Sequence, residues 1–211
     1  MENSMFFDDY SWQKVTGAQM EAFLKLINPI QGRHSASPKS AALDACHPSF
    51  YASVTLMRVN DRAWAPNTGP FWFLAKPDVT LPLDGTSAPI HEANERDPIK
   101  ITEKNALDYL RFFCYFVHGD EGPFLIIEDI NHPGLDRGKL DNTTRKEIEG
   151  SLRKATFEGK TPGGALRASA TLLYGSGLFF AQFSMTENGM VEMINDEPLA
   201  ADLPVKPIKS D

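Results

Sequence analysis

Residues 165–194 read ALRASATLLYGSGLFFAQFSMTENGMVEMI, and their pattern predicts the fold class. Polar and apolar side chains alternate over residues 165–174, as in a strand that buries one face. Gly175-Ser176 and Asn188-Gly189 are tight-turn sequences, because glycine adopts a positive φ without strain. The stretch therefore predicts a three-stranded C-terminal β-meander. Its strands are expected at about 165–174, 178–185 and 190–194.

The second strand of this meander is apolar on both faces. Phe179, Ala181 and Phe183 fall on one face, and Leu178 and Phe180 fall on the other. A sheet with two apolar faces has to be covered on both sides. The pattern predicts that the cover comes from helices of the same chain or from a second subunit.

Helices are predicted upstream of the meander. The clearest one spans residues 103–117, where apolar side chains recur every three or four positions. A T-x-x-Q capping box that begins at Thr16 predicts another helix, which Pro29 should end. A modest helix is expected at 143–152, and weak propensity suggests a short one at 39–45.

Four shorter segments rich in β-branched and aromatic residues are predicted as further strands, with the one at 124–127 in a central position because it is apolar throughout. These segments are 50–59, 71–75, 79–83 and 124–127. Residues 84–98 hold two prolines and little periodicity, so a long loop or an edge excursion is expected, and a loop of this length is a candidate lid. The pattern predicts an α+β fold with a mostly antiparallel sheet of six to eight strands and two or three helices packed on it.

The chain length of 211 residues favours a single domain. A subdomain break near residue 100 or 140 is the alternative, and the proline-containing segment 198–211 predicts a flexible tail. Cys46 and Cys114 form no CxxC pair, and a chain of this size does not need a disulfide. Both thiols are therefore expected to be reduced and structural.

The charge balance restricts the class of partner. The chain has 21 Lys and Arg against 28 Asp and Glu, a net charge of −7 that is spread over predicted loops and helix faces. Nucleic acid and anionic membranes are therefore unexpected partners, because binding phosphates requires clustered basic residues. No apolar run approaches the roughly 20 residues of a membrane span, and the start of the chain lacks the pattern of a secretory signal. A cytoplasmic protein is expected.

The densest polar cluster flanks the strand predicted at 124–127. His118 and Asp120 precede this strand, and Glu128 and His132 follow it. A histidine beside carboxylates can serve as a general base or bind a divalent metal. The same residue types also build turns and caps, and this structural interpretation is preferred because the spacing matches no metal-ligand or catalytic motif. No metal and no cofactor is predicted.

Aromatic residues supply a second set of candidates. Trp64 lies beside Arg62 in a predicted loop, and Trp72 lies in the strand that follows. Aromatic and arginine side chains dominate binding hot spots, so these three are candidate binding residues. The competing interpretation, which is favoured for Trp64, is that the indole folds back and fills part of the core.

Two function classes follow from these patterns. The first is a non-catalytic binding module that acts through a partner protein or through self-association by its two-faced meander. The alternative is a small-molecule-binding or hydrolase-like enzyme. Its site would use His118, Asp120, and Glu128 or His132 in a pocket beside the 103–117 helix.

Overall fold

A computed structural model describes residues 7, 10–66 and 68–206 of the chain. Residues 1–6, 8, 9 and 67 fall outside this description, as does the last part of the predicted tail, 207–211. The prediction about a secretory signal lies mostly on these first residues. The α-helices of the described part are α1 (Gly17–Gln31), α2 (Ala88–Arg96), α3 (Ala106–Phe116) and α4 (Asn142–Ser151). Single 3-10 turns follow α1 at Gly32–His34 and precede α4 at Arg137–Lys139.

The first sheet is an antiparallel sheet whose strands follow one another in chain order. Its strands are β1 (Gln13–Lys14), β2 (Ala41–Cys46), β3 (Thr55–Asp61), β4 (Phe71–Lys76) and β5 (Val79–Pro82). Helix α1 covers one face, where its buried Phe23 meets Phe73 at a centroid distance of 5.9 Å with the rings nearly perpendicular. Leu24 and Ile27 belong to the same cluster, so every third or fourth side chain of α1 is buried on this sheet.

The second sheet contains the meander, and the prediction of three antiparallel C-terminal strands is confirmed. Its strands are β8 (Leu125–Ile126), β9 (Thr156–Lys160), β10 (Leu166–Tyr174), β11 (Gly177–Met185) and β12 (Val191–Ala200). β12 lies at one edge beside β11, and β8 and β9 pair with different parts of the far edge of β10. A small hairpin of β6 (His118–Gly119) and β7 (Gly122–Pro123) stands apart from both sheets.

The main core contains side chains from both sheets and from α2 and α3. Tyr109 and Phe112 of α3 are completely buried in this cluster with Leu74 of the first sheet and Ala170 of the second. A second cluster joins Ile148 of α4 to the opposite face of the meander, at residues such as Leu173 and Leu178. Elements of the same chain therefore contact both apolar faces of the meander, so these faces do not require a second subunit.

Several sequence predictions are wrong at the level of single elements. Residues 39–45 do not form a helix, because Ala41–Cys46 pairs with β3 and buries Leu43 and Cys46. Residues 84–98 are not one long loop, since α2 occupies most of them with a proline in its first turn, where the missing N–H has no intrahelical partner. Helix α1 does not stop before Pro29, which lies in its last turn.

The extent of the strands also differs from the prediction. The described part of the chain has twelve strands in three sheets, where one sheet of six to eight was predicted. Residues 50–54 precede β3, which starts only at Thr55. The segment at 124–127 is not a central strand, because only Leu125–Ile126 pairs, and it lies at the edge of the sheet beside one end of β10 while β9 pairs with the other end. Of the tail predicted as flexible, residues 198–200 belong to β12, and Leu203 is buried.

Candidate functional site

The four polar residues flanking β8 have different neighbours. His118 lies in β6, where its backbone N–H donates to the carbonyl oxygen of Gly85 at 2.8 Å. Its imidazole packs so closely on Gly85 that a Cβ there would lie 2.9 Å from Nδ1. Burial lowers the pKa of His118, and the nearby charge of Asp84 opposes this effect. Asp120 lies between β6 and β7 and is exposed.

Glu128 and His132 both make local structural contacts. The carboxylate of Glu128 pairs with Arg111 of α3 at 2.9 Å and accepts the backbone N–H of Ala155 at 2.9 Å, so it joins α3 to the segment that leads into β9. His132 Nδ1 accepts the N–H of Gly134 at 3.2 Å. Burial lowers the pKa of His132 to about 4 against the opposing charge of Asp129, so this imidazole is neutral at pH 7.

These contacts assign turn and packing roles to the polar cluster. The His118 imidazole packs on Gly85, between β5 and α2, and the His132 imidazole accepts from Gly134 in its own loop. The Glu128 carboxylate is already paired with a guanidinium and a backbone amide. Among the residues that the structure describes, no group of three or more His, Cys, Asp or Glu side chains is arranged to hold a metal ion.

A cavity of about 400 Å³ lies at the end of the second sheet. Its lining residues are Glu121, Gly122, Pro123, Leu125, Gly134, Leu173, Gly175, Ser176, Val205 and Lys206. None of these comes from α3 and none is one of the four predicted acid–base residues, so this cavity is not the predicted pocket beside the 103–117 helix. The loops around 118–121 and 128–137 do meet here, through Glu121 and Gly134.

The C-terminal segment forms one wall of this cavity. The Leu203 N–H donates to the Ser176 carbonyl oxygen at 2.9 Å, and the Lys206 N–H donates to the Gly134 carbonyl oxygen at 2.9 Å. Val205 forms an antiparallel bridge with Leu135. The chain after β12 therefore crosses the turn between β10 and β11 and makes backbone hydrogen bonds with the loop before α4.

The three candidate binding residues, Arg62, Trp64 and Trp72, lie in or next to strands of the first sheet. Trp64 packs edge-on against Phe71 at 5.2 Å, and its indole N–H donates to the Ser35 carbonyl oxygen at 3.3 Å. This half-buried position supports the interpretation of Trp64 as a core residue. Arg62 is exposed, with its guanidinium donating to the Lys39 carbonyl oxygen.

Trp72 belongs to an aromatic cluster between the first sheet and α3. The guanidinium of Arg58 lies 5.7 Å from the Trp72 ring and 4.7 Å from the Trp12 ring, and it pairs with Asp44 at 2.9 Å. Trp72 also contacts Phe116 at 5.3 Å. The Trp72 indole is half-buried among these side chains, which favours a packing role over that of an accessible anchor.

The feature that sequence reasoning missed is the exposure of β12. Seven consecutive residues, 192–198, are exposed, although they lie in a ten-residue strand that pairs with β11 along its length. Met193 and Ile194 are 39% and 43% exposed, and Met190 in the preceding turn is 53% exposed. The sequence signal is the adjacent apolar pair Met193-Ile194 among polar residues, and in the structure Ile194 is the extra residue of a bulge, because Met193 lies opposite Phe183 and Asn195 opposite Gln182.

β12 is also the longest edge strand. Its second edge has no partner strand within the described ranges, whereas the other edges of the two large sheets consist of strands of two to five residues. Natural sheets have short edge strands or protect them with prolines, bulges and charges, because a free edge can pair with strands of other chains. β12 has Pro198, two irregularities of register and three acidic residues, yet it keeps a long edge and exposed apolar side chains.

Comparison of this chain with family models, with curated proteins and with solved structures found no match. No helix in the described part of the chain is both long and apolar enough to cross a membrane.

Proposed function

We propose that this chain is a non-catalytic interaction module that binds a partner protein along β12. The observation that carries the proposal is the run of seven exposed residues in one paired strand, 192–198, with Met193 and Ile194 in its middle. Three of the five large apolar side chains that are exposed in the described chain lie in this strand or in the turn before it. Exposed apolar groups that cluster beside a free strand edge are typical of protein-binding surfaces.

A buried hydrogen-bond network holds the start of β12 in place. Tyr51 donates to Asn94 at 2.9 Å, and the Asn94 amide donates to the Tyr109 hydroxyl at 3.1 Å. Tyr109 in turn donates to the carbonyl oxygen of Gly189 at 2.8 Å, in the turn that leads into β12. A strand fixed in this way loses little conformational entropy when a partner binds, which favours affinity.

Site-specific crosslinking tests the proposal. Benzoylphenylalanine replaces Ile194 in β12, and in a matched control it replaces Leu26, an exposed apolar residue of α1. We expect the Ile194 position alone to give one discrete adduct in extracts of the source cells. The crosslinked protein is then purified, and we expect its affinity in calorimetry to fall at least tenfold with Ile194→Ser.

Three results would overturn this function. The first is equal adducts at Ile194 and Leu26, and the second is an affinity that Ile194→Ser leaves unchanged. The third is an adduct of twice the chain mass as the sole product, because it would identify a second copy in place of a heterologous partner.

The cavity favours a second candidate function, the binding of a small molecule. Its floor contains the buried Leu125 and Leu173, and its rim contains Glu121 and Ser176. Hydrolase chemistry is not part of this candidate, because none of the predicted acid–base residues lines the cavity. A fragment screen monitored by the methyl signals of Leu125 and Leu173 tests it. Fragments that still bind after Ser176→Trp, which fills the rim of the cavity, would count against the cavity as their binding site.

A further inference from the structure

All the charged residues of the exposed strand β12 are acidic. β12 carries Glu192, Asp196 and Glu197, and residues 190–200 include no lysine or arginine. The closest acidic residue before the strand, Glu187, is already paired with Lys160 at 2.9 Å. The charge of β12 is therefore not neutralised from within the strand.

This charge pattern argues against a second copy of the chain on the same edge. If two β12 strands paired with each other, they would bring six carboxylates together with no basic residue between them. Like charges on facing strands destabilise the pairing, and opposite charges stabilise it. The complementary partner for this edge is therefore a basic one.

The backbone defines the shape of the partner segment. A free strand edge binds an extended chain through main-chain hydrogen bonds, while alternate side chains provide specificity. Pro198 has no N–H, so pairing along this edge ends near Glu197, and the available run, residues 191–197, contains a bulge at Ile194. This run lies opposite six positions of β11, Phe180 to Met185, so at about 3.3 Å for each position the contact is about 20 Å long.

We infer that β12 accepts an extended, lysine- or arginine-rich segment of a partner protein, which adds to the second sheet as a sixth strand. This inference rests on the proposed function and specifies its partner. The basic side chains of the segment lie near Glu192 and Glu197, and apolar side chains between them contact Met193 and Ile194. The bulges of β12 restrict pairing to a segment that follows its irregular register.

Synthetic peptides test this chemistry with the full chain. The probe is a fluorescein-labelled seven-residue peptide in which lysine alternates with threonine and valine, and its counterpart has glutamate at every lysine. We expect fluorescence anisotropy to show at least tenfold tighter binding of the basic peptide at low salt. Glu192→Lys with Glu197→Lys should weaken that binding at least tenfold. The matched control, Glu147→Lys with Glu149→Lys on the exposed face of α4, should change it less than twofold.

Methylation of the peptide amides separates strand addition from simple charge attraction. In an added strand, alternate amides face β12, so N-methyl groups on one alternating set should abolish binding and those on the other set should be tolerated. Equal tolerance of both sets would overturn strand addition and leave only electrostatic attraction.

The outcomes separate this inference from the proposed function. If neither peptide binds but the Ile194 crosslink forms, the inference fails and the interaction function stands. If the acidic peptide binds as well as the basic one, the inference fails in the same way. If peptide binding and crosslinking are both missing, the inference and the function fail together.

Discussion

Replacing Gly189 with alanine should destabilise the chain strongly, because two separate constraints meet at this turn residue. Its φ is +91°, in the region that favours glycine. A Cβ at this position would lie 2.5 Å from the Tyr109 hydroxyl and 2.7 Å from Cδ1 of Ile99, and it would also overlap the Asn94 amide. The added methyl group therefore enters the buried network that holds the start of β12.

The magnitude can be worked out from these constraints. A left-handed backbone costs a residue with a Cβ about 1–2 kcal/mol. Overlap in a packed interior costs about 1–3 kcal/mol more, and each hydrogen bond displaced by it about 1 kcal/mol. With one hydrogen bond displaced, the total loss in the free energy of unfolding is about 3–6 kcal/mol, a large share of the roughly 5–15 kcal/mol of a typical domain.

Gly164→Ala is the matched control. Gly164 has a φ of +86°, close to that of Gly189, but a Cβ there meets nothing within 4 Å. This substitution should cost only the backbone share, about 1–2 kcal/mol. Urea unfolding followed by circular dichroism measures both variants, and a difference of about 2–4 kcal/mol between them isolates the overlap and the displaced hydrogen bond. Equal stabilities, within about 0.5 kcal/mol, would refute the close packing of this turn on Asn94 and Tyr109.

Three further predictions concern other parts of the fold. Tyr109→Phe removes the hydroxyl that Asn94 contacts, and it should lower the free energy of unfolding by about 1–3 kcal/mol in urea titrations, since buried partners lose their hydrogen bonds; an unchanged midpoint would contradict the network. The folded-state pKa of His132 is lowered to about 4 from an ordinary 6.5, so the unfolded state binds a proton first as the pH falls. Stability should therefore drop by at most about 3 kcal/mol between pH 6.5 and 4, and His132→Asn should remove that part of the pH dependence; an identical profile would exclude His132 as its source. Trp64→Ala should cost about 2 kcal/mol in thermal or urea unfolding, because the half-buried indole packs on Phe71; unchanged stability would restore Trp64 as a candidate interface anchor.

The meander was predictable because its signals are local. Asn188-Gly189 and the alternation before Tyr174 identify turns and strands within a few residues. β2 was not predictable in the same way, since its alanines and Leu43 are good helix formers. Its strand state depends on pairing with β3, where Ala45 lies opposite Met57.

Helix α2 was missed because polar residues occupy part of its buried face. Asn94 is buried with a partner at Tyr51, and Asp97, just after the helix, accepts the N–H groups of Ser53 and Val54. These partners are more than forty positions away in the chain, so no local pattern indicates that the polar groups would be satisfied. A loop was therefore the reasonable local interpretation, and only the tertiary contacts favour the helix.

The candidate acid–base residues show a related limit of sequence reasoning. Residue type and proximity in sequence suggested that His118 and Glu128 belong to one site. The partner of Glu128 is Arg111 on α3, 17 positions earlier in the chain. Whether a carboxylate is free for chemistry depends on such long-range partners, and these follow from the fold.

The acidic residues of β12 have more influence on partner choice than on affinity. Glu192 and Glu197 lie opposite Ser184 and Phe180 of β11, which are four positions apart, so they are separated by about 13 Å along the strand. The Debye length at physiological salt is about 8 Å, so these two exposed carboxylates act nearly independently of each other. Exposed ion pairs contribute at most about 1 kcal/mol each, too little to hold a partner by themselves. Affinity must therefore come from the main-chain edge and from Met193 and Ile194, while the carboxylates disfavour acidic partners, including a second copy of the same strand.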